Sequence, residues 1–359
     1  AAGNGVLAKP AETTSLTAHR AIELMHEAGV PRNVLQLLPG RGSVVGAILS
    51  SDARIAGLCF TGSTATAQTI HRTMAEKLAP SAPLIAETGG LNAMIVDSTA
   101  LPEQAIGDIL ASSFQSAGQR CSALRVLYLQ DDIAEPFLEM LYGAMDELVI
   151  GNPWEFSTDI GPVIDAPAKR RIVKHIEGMR SQGRVLKELK APAIGTFVAP
   201  TVLAVDGIGD LQEEIFGPVL HVVRFDSEDL DAVIAAINAT GFGLTFGLHS
   251  RIDSRVQQVT SQLHVGNIYV NRNQIGAIVG SQPFGGEGLS GTGPKAGGPA
   301  YVPRFLKAEF CESTAPNGTA ADFTEVQKAL DVAARRSPAK LNTLALPGPT
   351  GESNQLTRF

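Results

Sequence analysis

An α/β fold built on a parallel sheet is predicted by three features of the chain. Short apolar runs alternate with amphipathic stretches of helical length, glycines close several of those stretches, and the alternation is sustained from residue 6 to residue 148. The first strand is expected at residues 6–8, followed by Lys9-Pro10-Ala11-Glu12 and a helix over 13–28 that Gly29 closes. Strand 34–38, helix 44–50 and strand 55–60 come next. Thr61-Gly62-Ser63-Thr64 then opens a helix reaching 78, and 84–87 returns as a strand. Strand 92–96, helix 102–117, strand 123–130 and helix 135–148 continue the series. Strand–helix alternation of this kind gives a parallel sheet covered by helices, the dinucleotide-fold pattern, although no Gly-x-Gly-x-x-Gly fingerprint is present.

Beyond residue 148 the signals thin out. Residues 151–162 are turn-rich, and 165–182 read as a basic amphipathic helix whose charges form a solvated face. Residues 265–271 are the last clear strand. From 285 to 299 there are seven glycines, and the tail mixes a helix at 324–335 with Pro/Gly/Ser-rich sequence.

The bulk composition narrows the function classes. The 359 residues suffice for more than one domain, and 44% hydrophobic with 18% charged residues suits a compact chain. A net charge of −7 gives no electrostatic reason to bind nucleic acid or an anionic membrane. No apolar run approaches a membrane span. Three cysteines, Cys59, Cys121 and Cys311, are too few and too scattered for a disulfide framework or a zinc site. No metal is therefore expected, and a reducing cytoplasm is the simplest compartment. Ala1-Ala2-Gly3-Asn4-Gly5 lacks the features of a signal peptide and runs almost directly into a strand, so the chain is expected to begin inside a domain.

Two stretches carry the chemistry. In Phe114-Gln115-Ser116-Ala117-Gly118-Gln119-Arg120-Cys121-Ser122-Ala123, Gly118 is expected to end a helix, leaving Cys121 on a turn before an apolar run. A thiol held between two packed elements is accessible yet fixed; the plainer alternative is a small buried hydrophobe. Ala86-Glu87-Thr88-Gly89-Gly90 lies 34 residues upstream, and its carboxylate precedes glycines that leave room for close approach.

Of four further groupings, two suit a dinucleotide, one pairs an acid with an aromatic, and one suits an anion. Lys9 and Glu12, past a strand end, can hydrogen-bond ribose hydroxyls, and Glu12 would repel a 2′-phosphate, favouring NAD over NADP; otherwise they are two solvated charges. Ser63 at a helix start offers a hydroxyl and free amides to a pyrophosphate, or serves as a plain N-cap. In Glu213-Glu214-Ile215-Phe216-Gly217-Pro218, Glu214 and Phe216 stand two apart and share one side of an extended chain; the plainer alternative is a helix-start acid and a core phenylalanine. The glycine-spaced loop 273–286 presents amides that suit a carboxylate, or is a surface connection.

Glu-x-Gly-Gly at 87–90 followed by Gly-x-x-Cys at 118–121 resembles the aldehyde dehydrogenase superfamily. The resemblance implies Cys121 as nucleophile and Glu87 as base. It also implies that Lys9, Glu12, Thr61, Gly62 and Ser63 contact the adenosine ribose and diphosphate of NAD. Glu214 would grip the nicotinamide ribose, and Phe216 would pack on the nicotinamide. The loop 273–286 is similar to one branch, the glutamate-γ-semialdehyde (1-pyrroline-5-carboxylate) dehydrogenases. In that branch Gly276, Ala277 and Ser122 would anchor the substrate α-carboxylate and Phe284 would pack on its stem. Residues 346–354 resemble the terminal region of bacterial bifunctional proline utilization A proteins, in which a flavin-dependent proline dehydrogenase precedes the dehydrogenase. FAD would belong to that part, outside this sequence.

The implied architecture is an aldehyde dehydrogenase fold. It would comprise a partial Rossmann-like NAD domain at 1–89, an α/β catalytic domain at 90–299 and a C-terminal extension at 300–359, in a homo-oligomer. The implied reaction is NAD-dependent oxidation of L-glutamate γ-semialdehyde to L-glutamate through a cysteine thioester. The resemblance supplies two oxyanion donors, the Cys121 amide and an Asn side chain upstream of Ala1. This exact polypeptide alone is therefore expected to be inactive or poorly folded. The alternatives are a dehydrogenase for another aldehyde, a non-catalytic relative and a cofactor-free thiol hydrolase. Intact Cys121 and Glu87 speak against the second, and the Lys9/Glu12 and Glu214/Phe216 pairs against the third.

Overall fold

The computed structural model describes residues 2–306, 322–334 and 342–358; Cys311 lies outside them. Its first part has the expected order: β1 (Val6–Ala8), α1 (Ser15–Glu27), β2 (Leu35–Leu37), α2 (Ala47–Ser51), β3 (Leu58–Thr61), α3 (Thr64–Lys77) and β4 (Leu84–Glu87). β1 pairs with β2 and β3 with β4, both in parallel. Among the described residues no pairing joins the two couples, so these strands make two short sheets where a single one was expected.

The large sheet is built from the later elements: β5 (Ala93–Val96), α4 (Pro102–Phe114), β6 (Val126–Gln130), α5 (Asp131–Asp146), α6 (Ala166–Ser181), β7 (Val185–Glu188), β8 (Thr201–Ala204), β9 (Val219–Phe225), α7 (Leu230–Ala239), β10 (Phe242–Gly243), β11 (Thr245–His249), α8 (Asp253–Gln262) and β12 (Asn267–Val270). Seven strands lie in the order β12-β11-β5-β6-β9-β8-β7. All are parallel except β7, which runs antiparallel at one edge. Successive side chains point to opposite faces. Met94, Leu127, Leu129 and Val222 pack with Ile109 of α4, Leu141 of α5 and Ile172 of α6. Ile95, Val126, Tyr128 and Val223 pack with Ile234 of α7 and Val259 of α8. Because both faces are covered, β6 is buried at every position and reads as a continuous apolar run.

Three boundaries differ from expectation. α4 stops at Phe114, not near Gly118, because Ser116 and Ala117 already have positive φ (56° and 54°), and Gly118 comes next at 65°. Helix α5 starts at Asp131, earlier than 135, with Asp131 and Asp132 in its first turn, where acids suit the helix dipole. Strand 265–271 is not the last: β13 (Glu287–Gly288) pairs with β10, and after α9 (Phe323–Ala334) comes a hairpin of β14 (Asn342–Leu346) and β15 (Asn354–Arg358). Residues 347–353 of the Pro/Gly-rich stretch form its turn. The hairpin is attached through an Arg272–Glu352 ion pair at 2.7 Å and a Gln282–Asn354 hydrogen bond at 3.0 Å. No helix among the described residues is long and apolar enough to cross a membrane.

Candidate active site

The left-handed run at 116–118 turns the chain sharply out of α4 and delivers Cys121 onto a short turn ahead of β6. Gly118 is required here: a Cβ would lie 2.1 Å from the Gly217 carbonyl oxygen. Asn92, just before β5, pins the turn from below. Its amide donates to the carbonyls of Cys121 (2.6 Å) and Ala123 (2.9 Å), and its oxygen accepts from the Thr245 amide at 3.2 Å. Thr245 in turn donates its hydroxyl to the Ser122 carbonyl at 3.1 Å. Cys121 is half-buried and a free thiol. Burial pushes its pKa up and the carboxylates of Glu214 and Glu87 add to that, while the amides of Ser122 and Cys121 oppose it. The thiol therefore needs a nearby base to ionise.

Glu87 closes β4, and the residue across from it in the pairing is Thr61. The Gly286 amide donates to its Oε2 at 2.9 Å, and its Oε1, buried, has no partner among the described residues. Gly285 and Gly291 line the carboxyl so tightly that a Cβ on either would lie 2.9 Å from one of its oxygens. Burial raises the Glu87 pKa to about 7, against the opposing pull of the Gly286 amide and the Lys295 ammonium. That value suits a general base near neutral pH.

Glu214 arrives on the loop before β9 and is held by a residue that sequence reasoning missed. Arg125, with no exposed surface, donates to Glu214 Oε1 from Nε (3.2 Å) and Nη2 (2.9 Å). The guanidinium carbon lies 5.2 Å from the ring centre of Phe216, which is 40% exposed. Gly89 makes the room for Glu214: a Cβ there would overlap Oε2 at 1.7 Å. The signal in the sequence was a lone arginine inside the apolar run Leu124–Leu129, which burial forces to find partners. Asn92 and Lys295 carried no comparable signal.

The expected cofactor residues fall into two groups. Lys9 and Glu12 meet at the turn after β2: the Gly42 amide donates to Glu12 Oε1 at 2.6 Å, and Lys9 donates to the Gly40 carbonyl at 3.1 Å. That amide, first among the causes, and the Lys9 charge hold the Glu12 carboxyl below its usual range. Thr61, Gly62 and Ser63 lie at the β3–α3 turn, where the Gly62 amide donates to the Glu87 carbonyl at 3.1 Å. Ser63 is the N-cap of α3, its hydroxyl accepting from the Thr66 amide at 3.3 Å, which is the plainer of the two expectations.

In the 273–286 loop the Gly276 amide donates to the Ser122 hydroxyl at 3.1 Å, which brings two of the expected substrate residues together. Gly276 is left-handed at φ 62°. Ala277 beside it is half-buried. Phe284 is half-buried too, and its amide donates to the Ala296 carbonyl at 2.9 Å across a short antiparallel bridge. Gln274, fully buried, ties the loop to α4 by donating its backbone amide to the Ser112 hydroxyl (3.1 Å), and to the Cys121 turn and β11 by donating Nε2 to the Ser122 carbonyl (3.4 Å) and the Thr245 hydroxyl (3.3 Å).

A half-buried thiol, an unsatisfied carboxylate with raised pKa and a second carboxylate locked to an arginine, all on an α/β scaffold, are the parts of an enzyme working through a covalent thiol intermediate. The chain belongs to the aldehyde dehydrogenase family, whose pattern it matches over residues 1–310. A bifunctional PutA protein of Klebsiella aerogenes is 50% identical, the match taking in 99% of this chain and 30% of that protein. A 1-pyrroline-5-carboxylate dehydrogenase of Geobacillus kaustophilus is 39% identical over 86% of this chain and 60% of its own length. The chain thus spans less than two thirds of these relatives. Among solved structures, that of a 1-pyrroline-5-carboxylate dehydrogenase from Thermus with bound NAD superposes with a TM-score of 0.79 at 39% identity, over 85% of this chain and 60% of that one. A crystal structure of bifunctional proline utilization A gives 0.82 at 54% identity, over 84% of this chain and 31% of that one.

Proposed function

We propose that this chain carries the NAD-dependent oxidation of L-glutamate γ-semialdehyde to L-glutamate, the second step of proline breakdown. The single observation that carries it is that the amide of Gly276, in the 273–286 loop, donates at 3.1 Å to the hydroxyl of Ser122, the residue next to the Cys121 thiol. The names of the relatives support the choice of substrate.

Glu87 accepts the thiol proton, and the Cys121 sulfur forms a bond to the aldehyde carbon, whose carbonyl electrons move to oxygen. The Cys121 amide donates to that oxygen. The residues fit a dinucleotide: Lys9 and Glu12 for one ribose, Thr61, Gly62 and Ser63 with the exposed first turn of α3 for the diphosphate, Glu214 for the second ribose and Phe216 beside the ring. When bound, NAD supplies the hydride acceptor. Glu87 passes the first proton to solvent; it then deprotonates the water that attacks the thioester left on Cys121, and the sulfur leaves as the thiol, taking up that second proton. Ser122, Gly276 and Ala277 hold the substrate carboxylate, and Phe284 covers its aliphatic stem.

The same reading puts the enzyme in the cytoplasm as a homo-oligomer, with domains divided at 1–89, 90–299 and 300–359. It is tested on full-length protein by comparing the semialdehyde with an aldehyde of similar length that lacks the carboxylate. The semialdehyde should give the higher kcat/KM with NAD, and Ser122→Ala should narrow the gap. Equal rates for the two aldehydes would point to another substrate.

A further inference from the structure

We propose that Arg125 is a positioning residue that locks the nucleophile turn to the cofactor-side carboxylate, so that one guanidinium sets the surroundings of both Cys121 and Glu214. The assignment of Glu214 to the cofactor rests on the dehydrogenase reading; the effect on the thiol does not.

The hydrogen bonds carry the argument. Arg125 Nη1 donates to the carbonyls of Gly118 (2.7 Å) and Gly217 (3.3 Å). Nη2 donates to the Arg120 carbonyl (3.0 Å) and to Glu214, and Nε donates to Glu214. Five contacts thus account for the five N–H groups that a guanidinium has. Two of the acceptors, Gly118 and Arg120, lie in the stretch that leads directly into Cys121. The others, Glu214 and Gly217, bracket Phe216, whose ring lies over the same guanidinium. The arginine's own backbone is fixed as well: its amide donates to the Asn92 carbonyl at 2.9 Å, and its carbonyl accepts from the His221 amide at 2.9 Å. A lysine, with three donors and no planar fork, cannot satisfy the same set.

Electrostatics gives the role a signature beyond packing. The groups facing Cys121 are the carboxylates of Glu214 and Glu87, the latter faced by Lys295, and the Tyr269 phenol, which feels the thiol. Arg125 is the cation paired with Glu214. Without it Glu214 becomes an unpaired buried carboxylate beside the thiol, which opposes thiolate formation.

The test uses full-length protein carrying Arg125→Met, Arg125→Lys, Glu214→Gln or Arg125→Met with Glu214→Gln. Iodoacetamide labelling of Cys121, with mass spectrometry of its peptide across pH in the absence of NAD, reads the thiol. KM and kcat for NAD read the cofactor side, and circular dichroism melting reads the fold. Arg125→Met should move the labelling midpoint up by about one pH unit, and the double variant should bring it back while KM for NAD stays raised about tenfold or more. Arg125→Lys should leave KM raised although the charge is kept. An Arg125→Met protein that melts like the parent, with midpoint and KM both within twofold of it, would reduce Arg125 to a packing residue. If Arg125→Met does not fold, parent-like KM and midpoint in Arg125→Lys overturn the proposal instead. Absence of NAD turnover in the parent protein would sink the dehydrogenase reading and leave the labelling result to be judged alone.

Discussion

At the scale of single residues, Glu87 shows how burial becomes chemistry. A carboxyl in water ionises at about pH 4, but inside a glycine-lined pocket with one oxygen unpartnered it holds its proton to about pH 7. The folded protein binds this proton more tightly than the unfolded chain does. The stability it contributes is therefore complete below the unfolded pKa of about 4.5 and is lost as pH rises through about 7. Glu87→Gln should flatten that part of the pH–stability curve, measured as melting temperature between about pH 5 and pH 8. The same substitution should suppress both the burst of NADH and steady turnover, because on the proposed mechanism Glu87 ionises the thiol first and the hydrolytic water later. In the parent protein turnover should fall as pH drops through about 7. Cys121 and Glu87 were legible as sequence because each sits in a short motif with glycines around it. Lys295 was not, since a lysine in a glycine-rich segment reads as exposed, whereas here its ammonium donates to the Gly266 carbonyl and burial lowers its pKa.

At the scale of elements, the nucleophile turn is rigid because three segments hold it. α4 ends at Phe114, the left-handed run redirects the chain, and Asn92 holds two of the turn's carbonyls from the start of β5. Asn92→Ala would leave those carbonyls and the Thr245 amide short of partners, at about 1–3 kcal/mol for each buried group stranded. Thermal unfolding should show a clear drop in midpoint, with kcat falling as the turn loosens. Gly118→Ala should cost about 2 kcal/mol or more, since the left-handed backbone penalty adds to a collision with the Gly217 carbonyl. A pair of variants that melts like the parent would contradict this account of the turn. The element boundaries were only partly readable: the apolar spacing that runs on to Ala117 suggested a longer helix, and the close approach of Gly118 to Gly217, far along the chain, cut it short.

At the scale of the whole molecule, the seven-stranded sheet is a platform with its functional segments along one edge. Asn92, the Cys121 turn and Gly217 lie just ahead of strands of that sheet and Thr245 opens another, while Glu87 stands at the end of β4 in the small sheet. Two apolar layers, one on each face, make the platform stiff. Leu127→Ala, fully buried in β6, should destabilise by about 2–5 kcal/mol in denaturant unfolding. If the platform only supports the turn, kcat per folded molecule should be unchanged; a matching fall in kcat would mean that the platform transmits strain to the site.

Alternating periodicity, glycine positions and the motifs at residues 87 and 121 were enough, as sequence, to determine the α/β class and the order of its early elements, and to single out Cys121 and Glu87 as the candidate nucleophile and base. These depend on contacts within a few turns of chain or on residue types that a reaction demands. The division of the first four strands into two couples, the end of α4 and the arginine between Glu214 and the Cys121 turn were decided only in three dimensions. Each depends on groups far apart in the chain, whose meeting comes from burial and the need to satisfy every buried charge and carbonyl, and neighbouring residues do not encode that.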